Sequence, residues 1–194
     1  MLQRIINKLL YYYYKQQLGG FGFGSVINSP LRIDGKKNIS IGKSAIVQYK
    51  TWLAAMPLVA GEKCELSIGD GCCIGNFNHI YATKKVIIGT KVLTADKVYI
   101  SDNLHSYQDI HTAILDQPVK QNKEVVIGDG TWIGENVCIL GVTIGKNCVI
   151  GANAVVTKNL PDYAIAVGNP AKIIKRFCLE TNQWKKTSAD GTFI

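Results

Sequence analysis

Three histidines, His79, His105 and His111, are of the residue type suited to act as a base that takes the proton from a hydroxyl as its oxygen attacks. His105 closes the run VYISDNLH, with Asp102 three residues earlier. That carboxylate can bond the ring or a substrate hydroxyl, or it can be a solvated corner residue. His79 stands in CIGNFNHI beside Asn76 and Asn78. Those amides can meet a polar acceptor or hold a tight corner, because Asn tolerates the left-handed region. His111 reads equally as a substrate contact or a solvated ring. No Ser or Cys is paired with His105 in a nucleophile motif, so direct attack is expected over a covalent enzyme intermediate. The six cysteines lack the C-x-x-C spacing of a zinc site, and Cys72, Cys73, Cys138 and Cys148 fall where packing needs a small residue. No metal is expected.

The elements that position these residues follow from a period of six. Apolar residues recur at Ile41, Val47, Leu53, Val59; at Ile68, Ile74, Ile80, Val86; at Ile88, Thr94, Ile100; at Ile127, Ile133, Ile139; and at Ile144, Ile150, Val156, with Thr94 the one polar member. Neither a helix nor an ordinary strand repeats at that interval. Eight of these positions are followed directly by Gly, which suits a tight turn, so each hexad reads as a short strand plus a corner. Three strands close a triangular coil of roughly 18 residues, and stacked coils bond one another at about 4.8 Å. The expected fold is all-β, a parallel β-helix of roughly six coils with inward columns of Ile and Val.

Two irregularities stand out. Residues 106–124 carry no hexad and should leave the prism as a loop, and the step from Ile139 to Ile144 is one residue short. A long excursion from a regular scaffold tends to be functional. His105 ends a strand just where that loop begins, which should set its ring at the mouth of a groove. The expected parts are residues 1–30 as an N-terminal helix and lead-in, 31–170 as the β-helix domain, and 171–194 as a basic C-terminal cap over strand edges.

The net charge of +8 is concentrated at the ends: residues 1–50 carry eight Lys/Arg against Asp34 alone, and residues 158–194 are again basic. Both ends favour anionic company. Residues 1–18, MLQRIINKLLYYYYKQQL, place Leu2, Ile5, Ile6 and Leu9 at helical spacing with Arg4 and Lys8 between them. They hold no apolar run of ~18 residues, so they should not span a membrane, but they can cap the domain or lie on a membrane surface. With no secretory signal, free thiols in a cytoplasmic protein are expected, with a peripheral place at the inner membrane face as the alternative. The basic ends lack a groove-reading motif, and nucleic acid is not expected as a partner.

The hexads, the phrase WIGENVCILGVTIG, the run VIGANAVVTKNLPDYAIAVGNPAKIIK and the loop after SDNLH resemble the hexapeptide-repeat acyltransferases over about residues 65–177. ISDNLHSYQDIH and RFCLETNQW look most like sugar O-acetyltransferases of bacterial O-antigen, capsular or similar glycans. The resemblance implies a left-handed β-helix, an exception to right-handed crossovers, a homotrimer, and acetyl-coenzyme A as acyl donor bound between subunits. It gives the base role to His105. NFN is similar to a motif of galactoside and maltose acetyltransferases whose first Asn bonds the acceptor sugar, pointing to Asn76, with His79 beside it. Trp132 matches an aromatic lining the cleft, and the backbone N–H of Glu135 a donor to the thioester carbonyl. Ala152, Thr157 and Lys158 match the run along pantetheine and adenine, while Lys172, Lys175 and Arg176 supply charge for phosphates. The implied reaction is acetyl transfer to a sugar hydroxyl of a bacterial surface glycan or its precursor. N-acetyl transfer to an amino sugar or nucleotide-amino-sugar is the main alternative. A γ-carbonic-anhydrase-like zinc protein would pair two histidines as H-x4-H, which the five residues between His105 and His111 do not match. A non-enzymatic scaffold would leave His105 at the loop junction without a task.

Overall fold

A computed structural model describes residues 2–194; the side chains of residues 1–5, including Leu2, Arg4 and Ile5 of the N-terminal pattern, lie outside the described residues. After the helix Leu2–Gln17 the chain winds into a left-handed parallel β-helix with three six-tiered faces. Face A stacks the strands Gly20–Phe21, Ile39–Ile41, Glu65–Ile68, Lys85–Ile88, Val125–Ile127 and Thr143–Ile144. Face B stacks Val26–Ile27, Ile46–Val47, Cys73–Ile74, Leu93–Thr94, Trp132–Ile133 and Val149–Ile150. Face C stacks Arg32–Asp34, Trp52–Ala55, His79–Ala82, Tyr99–Ser101, Cys138–Leu140 and Val155–Val156. The first strands thus fall inside residues 1–30, and Gly20–Phe21 already pairs in register with Ser40–Ile41.

The period of six is realised as burial. Ile68, Ile74, Ile80 and Val86, and after them Ile127, Ile133 and Ile139, are sealed in the prism, because each face turns one residue of every short strand inward. Val59 does not follow: it is 57% exposed in an excursion between Ala55 and Glu65. The segment MPLVAGEKC leaves the coil there, so the fourth member of that hexad run was a coincidence of spacing.

The corners are also built differently from the expectation. The Gly after each Ile does not adopt positive φ; the left-handed residue comes two positions later, as at Ser44, Phe77, Lys91 and Asn147. Gly is needed for close approach instead. A Cβ on Gly69 would sit 2.5 Å from the Gly89 carbonyl oxygen, and one on Gly128 would sit 2.5 Å from the Gly145 carbonyl carbon. Stacked coils leave no room for a side chain at that point of the corner.

Both excursions, residues 56–64 and the segment after Asp102, leave from the edge between faces C and A. The short step from Ile139 to Ile144 lies on the same edge, directly after the second excursion, with Gly141 at φ 58°. The last turn is closed by Ala164–Val167, which adds to face B in parallel, and by Lys172–Cys178 and Gln183–Lys186, which extend it in antiparallel order. They cover what would otherwise be an open parallel edge.

Candidate active site

His105 belongs to a two-stranded antiparallel stalk, Asn103–His105 paired with Val119–Gln121, from which the loop projects. The imidazole is exposed, opposite Val119, and makes no hydrogen bond to another described residue. It is therefore free to meet a ligand. The loop beyond is internally tied: Gln117 donates from Nε2 to the carbonyls of Asp109 and Thr112 at 2.8 Å each. The Asp109 carboxylate accepts from the His111 N–H at 2.9 Å and from Thr112 Oγ1 at 2.7 Å, which holds its pKa below the usual carboxylate value. His111 is exposed on this loop.

Asp102 sets the base of the stalk. It is fully buried, and its carboxylate accepts from the backbone N–H groups of Thr83, Lys84 and Lys85, all at 2.7 Å, and from Thr83 Oγ1 at 2.9 Å. These are corner groups of the preceding coil. The Asp102 carbonyl in turn accepts from the Asn122 N–H at 2.8 Å and from Gln121 Nε2 at 2.9 Å, so both feet of the stalk are held to one point. The substrate contact expected of Asp102 is corrected: its oxygens are spent on the scaffold and it positions the stalk that carries His105. Thr83 and Gln121 share this duty through a 2.8 Å hydrogen bond between Thr83 Oγ1 and Gln121 Oε1. Neither stands out in the sequence.

The NFN amides are also corrected. Asn76 donates from Nδ2 to both oxygens of Asp96 at 3.1 Å and accepts the Tyr49 N–H at 3.2 Å. Asn78 is buried, donating to Thr94 Oγ1 and accepting the Val98 N–H, both at 2.6 Å. Each is a corner brace between faces B and C, away from the stalk edge. His79 faces outward from face C but is packed: its ring stacks on Trp52 at 4.0 Å and 7° and meets the edge of Tyr99 at 5.1 Å. Its Nε2 is buried without a partner, and burial pushes its pKa below the ordinary histidine value. This histidine is packed among aromatics on face C, away from His105 of the same chain.

The donor-side residues gather elsewhere. Trp132, half exposed, lies in an outward column on face B whose register runs Leu93, Trp132, Val149, Ile165, Lys175. Trp132 and Lys175 are therefore three strand spacings apart, about 14 Å, on one surface. Glu135 and Ala152 sit one coil apart at the B–C edge, where the Asn153 N–H donates to the Glu135 carbonyl at 2.8 Å. The Glu135 N–H has no acceptor among the described residues, and its carboxylate pairs with Lys97 at 3.0 Å. Thr157 and Lys158 are exposed beyond face C, and Lys172 is exposed next to the closing turn. Arg176 departs from this set: Nη1 donates to the Gly191 carbonyl at 3.1 Å, the guanidinium lies over Phe193, and Nε is buried. It anchors the C-terminal tail, so the phosphate role expected of it is corrected.

Face B is the face opposite the C–A edge of a triangular prism. Trp132 and His105 of one chain therefore point to opposite sides of the molecule. Among the described residues there is no group of three or more His, Cys, Asp or Glu placed to hold a metal ion.

Comparison with known proteins agrees with this architecture. A family profile described as the hexapeptide repeat of succinyl-transferase matches residues 124–158. A protein of Mycobacterium tuberculosis named as an acetyltransferase is 43% identical over 132 residues, 68% of this chain and 43% of the relative. WbbJ of Escherichia coli K12, named for O-acetyl transfer in lipopolysaccharide biosynthesis, is 37% identical over 126 residues, 60% of this chain and 63% of the relative. The chain thus spans less than two thirds of the length of both. WcaF of Escherichia coli K12, named as an acetyltransferase of colanic acid biosynthesis, is 31% identical over 146 residues, 75% of this chain and 71% of the relative. Among solved structures, a hexapeptide-repeat acetyltransferase of Vibrio cholerae in complex with acetyl-coenzyme A is similar at 25% identity and a TM-score of 0.57, over 86% of this chain and 75% of that chain. With its six-tiered prism, its stalk at the C–A edge and these relatives, the chain belongs to the hexapeptide-repeat acetyltransferase family.

Proposed function

We propose that this protein transfers acetyl from acetyl-coenzyme A to a sugar hydroxyl of a bacterial surface glycan or its precursor, with His105 as general base. The observation that carries the reading is an unpartnered, exposed imidazole on a stalk whose base is locked by a buried carboxylate. A base must be positioned and accessible at once, and this arrangement supplies both. The sugar oxygen attacks the thioester carbonyl carbon while His105 takes the hydroxyl proton. The tetrahedral intermediate collapses, the C–S bond breaks, and the coenzyme A thiolate leaves and recovers a proton. The open N–H of Glu135 suits the developing oxyanion.

Because Trp132 and His105 face opposite ways on one prism, a complete site requires two chains. A ring in which each subunit offers its stalk to one neighbour and its face B to the other closes as a homotrimer. Ile110 and Leu115 at the loop tip, 86% and 89% exposed, are apolar side chains that such a neighbour would cover. Incubation with labelled acetyl-coenzyme A and surface-glycan oligosaccharides tests the reaction. Label that enters the glycan and is released by mild alkali supports an ester; label that resists alkali, or none at all, overturns the O-acetyl reading.

A further inference from the structure

The helix Leu2–Gln17 is turned outside in. It packs on the first coil through Tyr11, Tyr14 and Leu18, yet its outer face is largely apolar, with exposed Gln16 the polar member among the described side chains of that arc. Ile6, Leu9, Tyr12 and Tyr13 are 39%, 66%, 52% and 48% exposed, and at 3.6 residues per turn they span an arc of roughly 120° centred opposite Leu18. Phe23 of the first coil, 78% exposed, borders a shallow groove with Lys8, Tyr12 and Lys15. Lys8 and Lys15 make no ion pair among the described residues, and four Lys/Arg precede Asp34, the first acidic residue of the chain.

We propose that this end of the prism docks on a lipid surface bearing anionic headgroups. The helix lies in the interface, with Leu9, Tyr12, Tyr13 and Phe23 toward the acyl boundary and Lys8 and Lys15 at the phosphates. Tyrosines belong at such a boundary because one end of the ring is apolar and the other is wet. The charge decides between occupants. A second copy of this chain would set uncompensated cations against a molecule of net charge +8, whereas an anionic bilayer neutralises them. The helix rests on the surface and does not cross it, since no described helix is long and apolar enough to span a bilayer. The inference does not depend on acetyl transfer.

Flotation of the full-length protein with vesicles tests it, using phosphatidylcholine alone or mixed with phosphatidylglycerol, at low and high salt. Binding is expected to the mixed vesicles only and to weaken with salt. The double variant Lys8→Gln, Lys15→Gln should lose roughly thirtyfold in affinity. Leu9→Glu combined with Tyr12→Ser should abolish binding with melting temperature and oligomeric state unchanged. Absence of binding, equal binding to both vesicles, or undiminished binding by the lysine variant overturns the proposal. Dissociation of the oligomer by Leu9→Glu, Tyr12→Ser would instead assign the face to a second copy of the chain and overturns it as well.

Discussion

Asp102 and His105 are three residues apart and face opposite environments, one sealed under the corner of the preceding coil and the other in solvent. Asp102→Ala would strand three backbone N–H groups in a buried corner, and the melting transition should register a loss of about 3 kcal/mol. His79 provides a second check, through pH. Its folded pKa lies below the ordinary 6.5, so between the two values the unfolded chain binds more protons than the native one. Stability should therefore fall as pH drops through 6.5, level off once pH passes below the lowered folded pKa, and be fully present above 6.5. His79→Phe should flatten that part of the profile in thermal melts recorded against pH.

Among the elements, the strands were legible because burial in a prism imposes one apolar residue per hexad, and the hexads from Ile68 onward are all sealed inside. The loop was legible as a break in that period. What the sequence hid is how the loop is fastened. The stalk is bonded by groups distant in sequence, Thr83 to Gln121 and Asp102 to residues 83–85, and no local pattern announces a carboxylate that caps another coil's backbone. For the same reason Asn76 read as a sugar contact, whereas its amide is consumed by Asp96 one coil on. The corner glycines were recognised, but their reason, contact between stacked backbones, needs the stack itself. Gly141, in contrast, combines φ 58° with a Cβ position 2.6 Å from Asn122 Nδ2 at the foot of the stalk. Gly141→Ala should destabilise the fold by about 1–2 kcal/mol, and faster amide exchange at residues 119–123 would locate the damage at the returning strand.

For the whole molecule, face B lies opposite the C–A edge, and the proposed reaction therefore draws on two subunits. If the acceptor-side base and the donor-side surface come from different subunits, then His105→Ala and Trp132→Ala proteins, each impaired alone, should recover activity when refolded together, because some interfaces then join two intact halves. Mixed oligomers no more active than the separate variants would place both halves in one chain.

The central claim is that the exposed imidazole takes the proton of the attacking hydroxyl. Its most direct test is steady-state acetyl transfer by His105→Ala beside the wild-type protein, with acetyl-coenzyme A affinity measured on both. The account predicts a fall in kcat of about 10² to 10⁴ with the dissociation constant for the donor unchanged. A variant that turns over near the wild-type rate would contradict it.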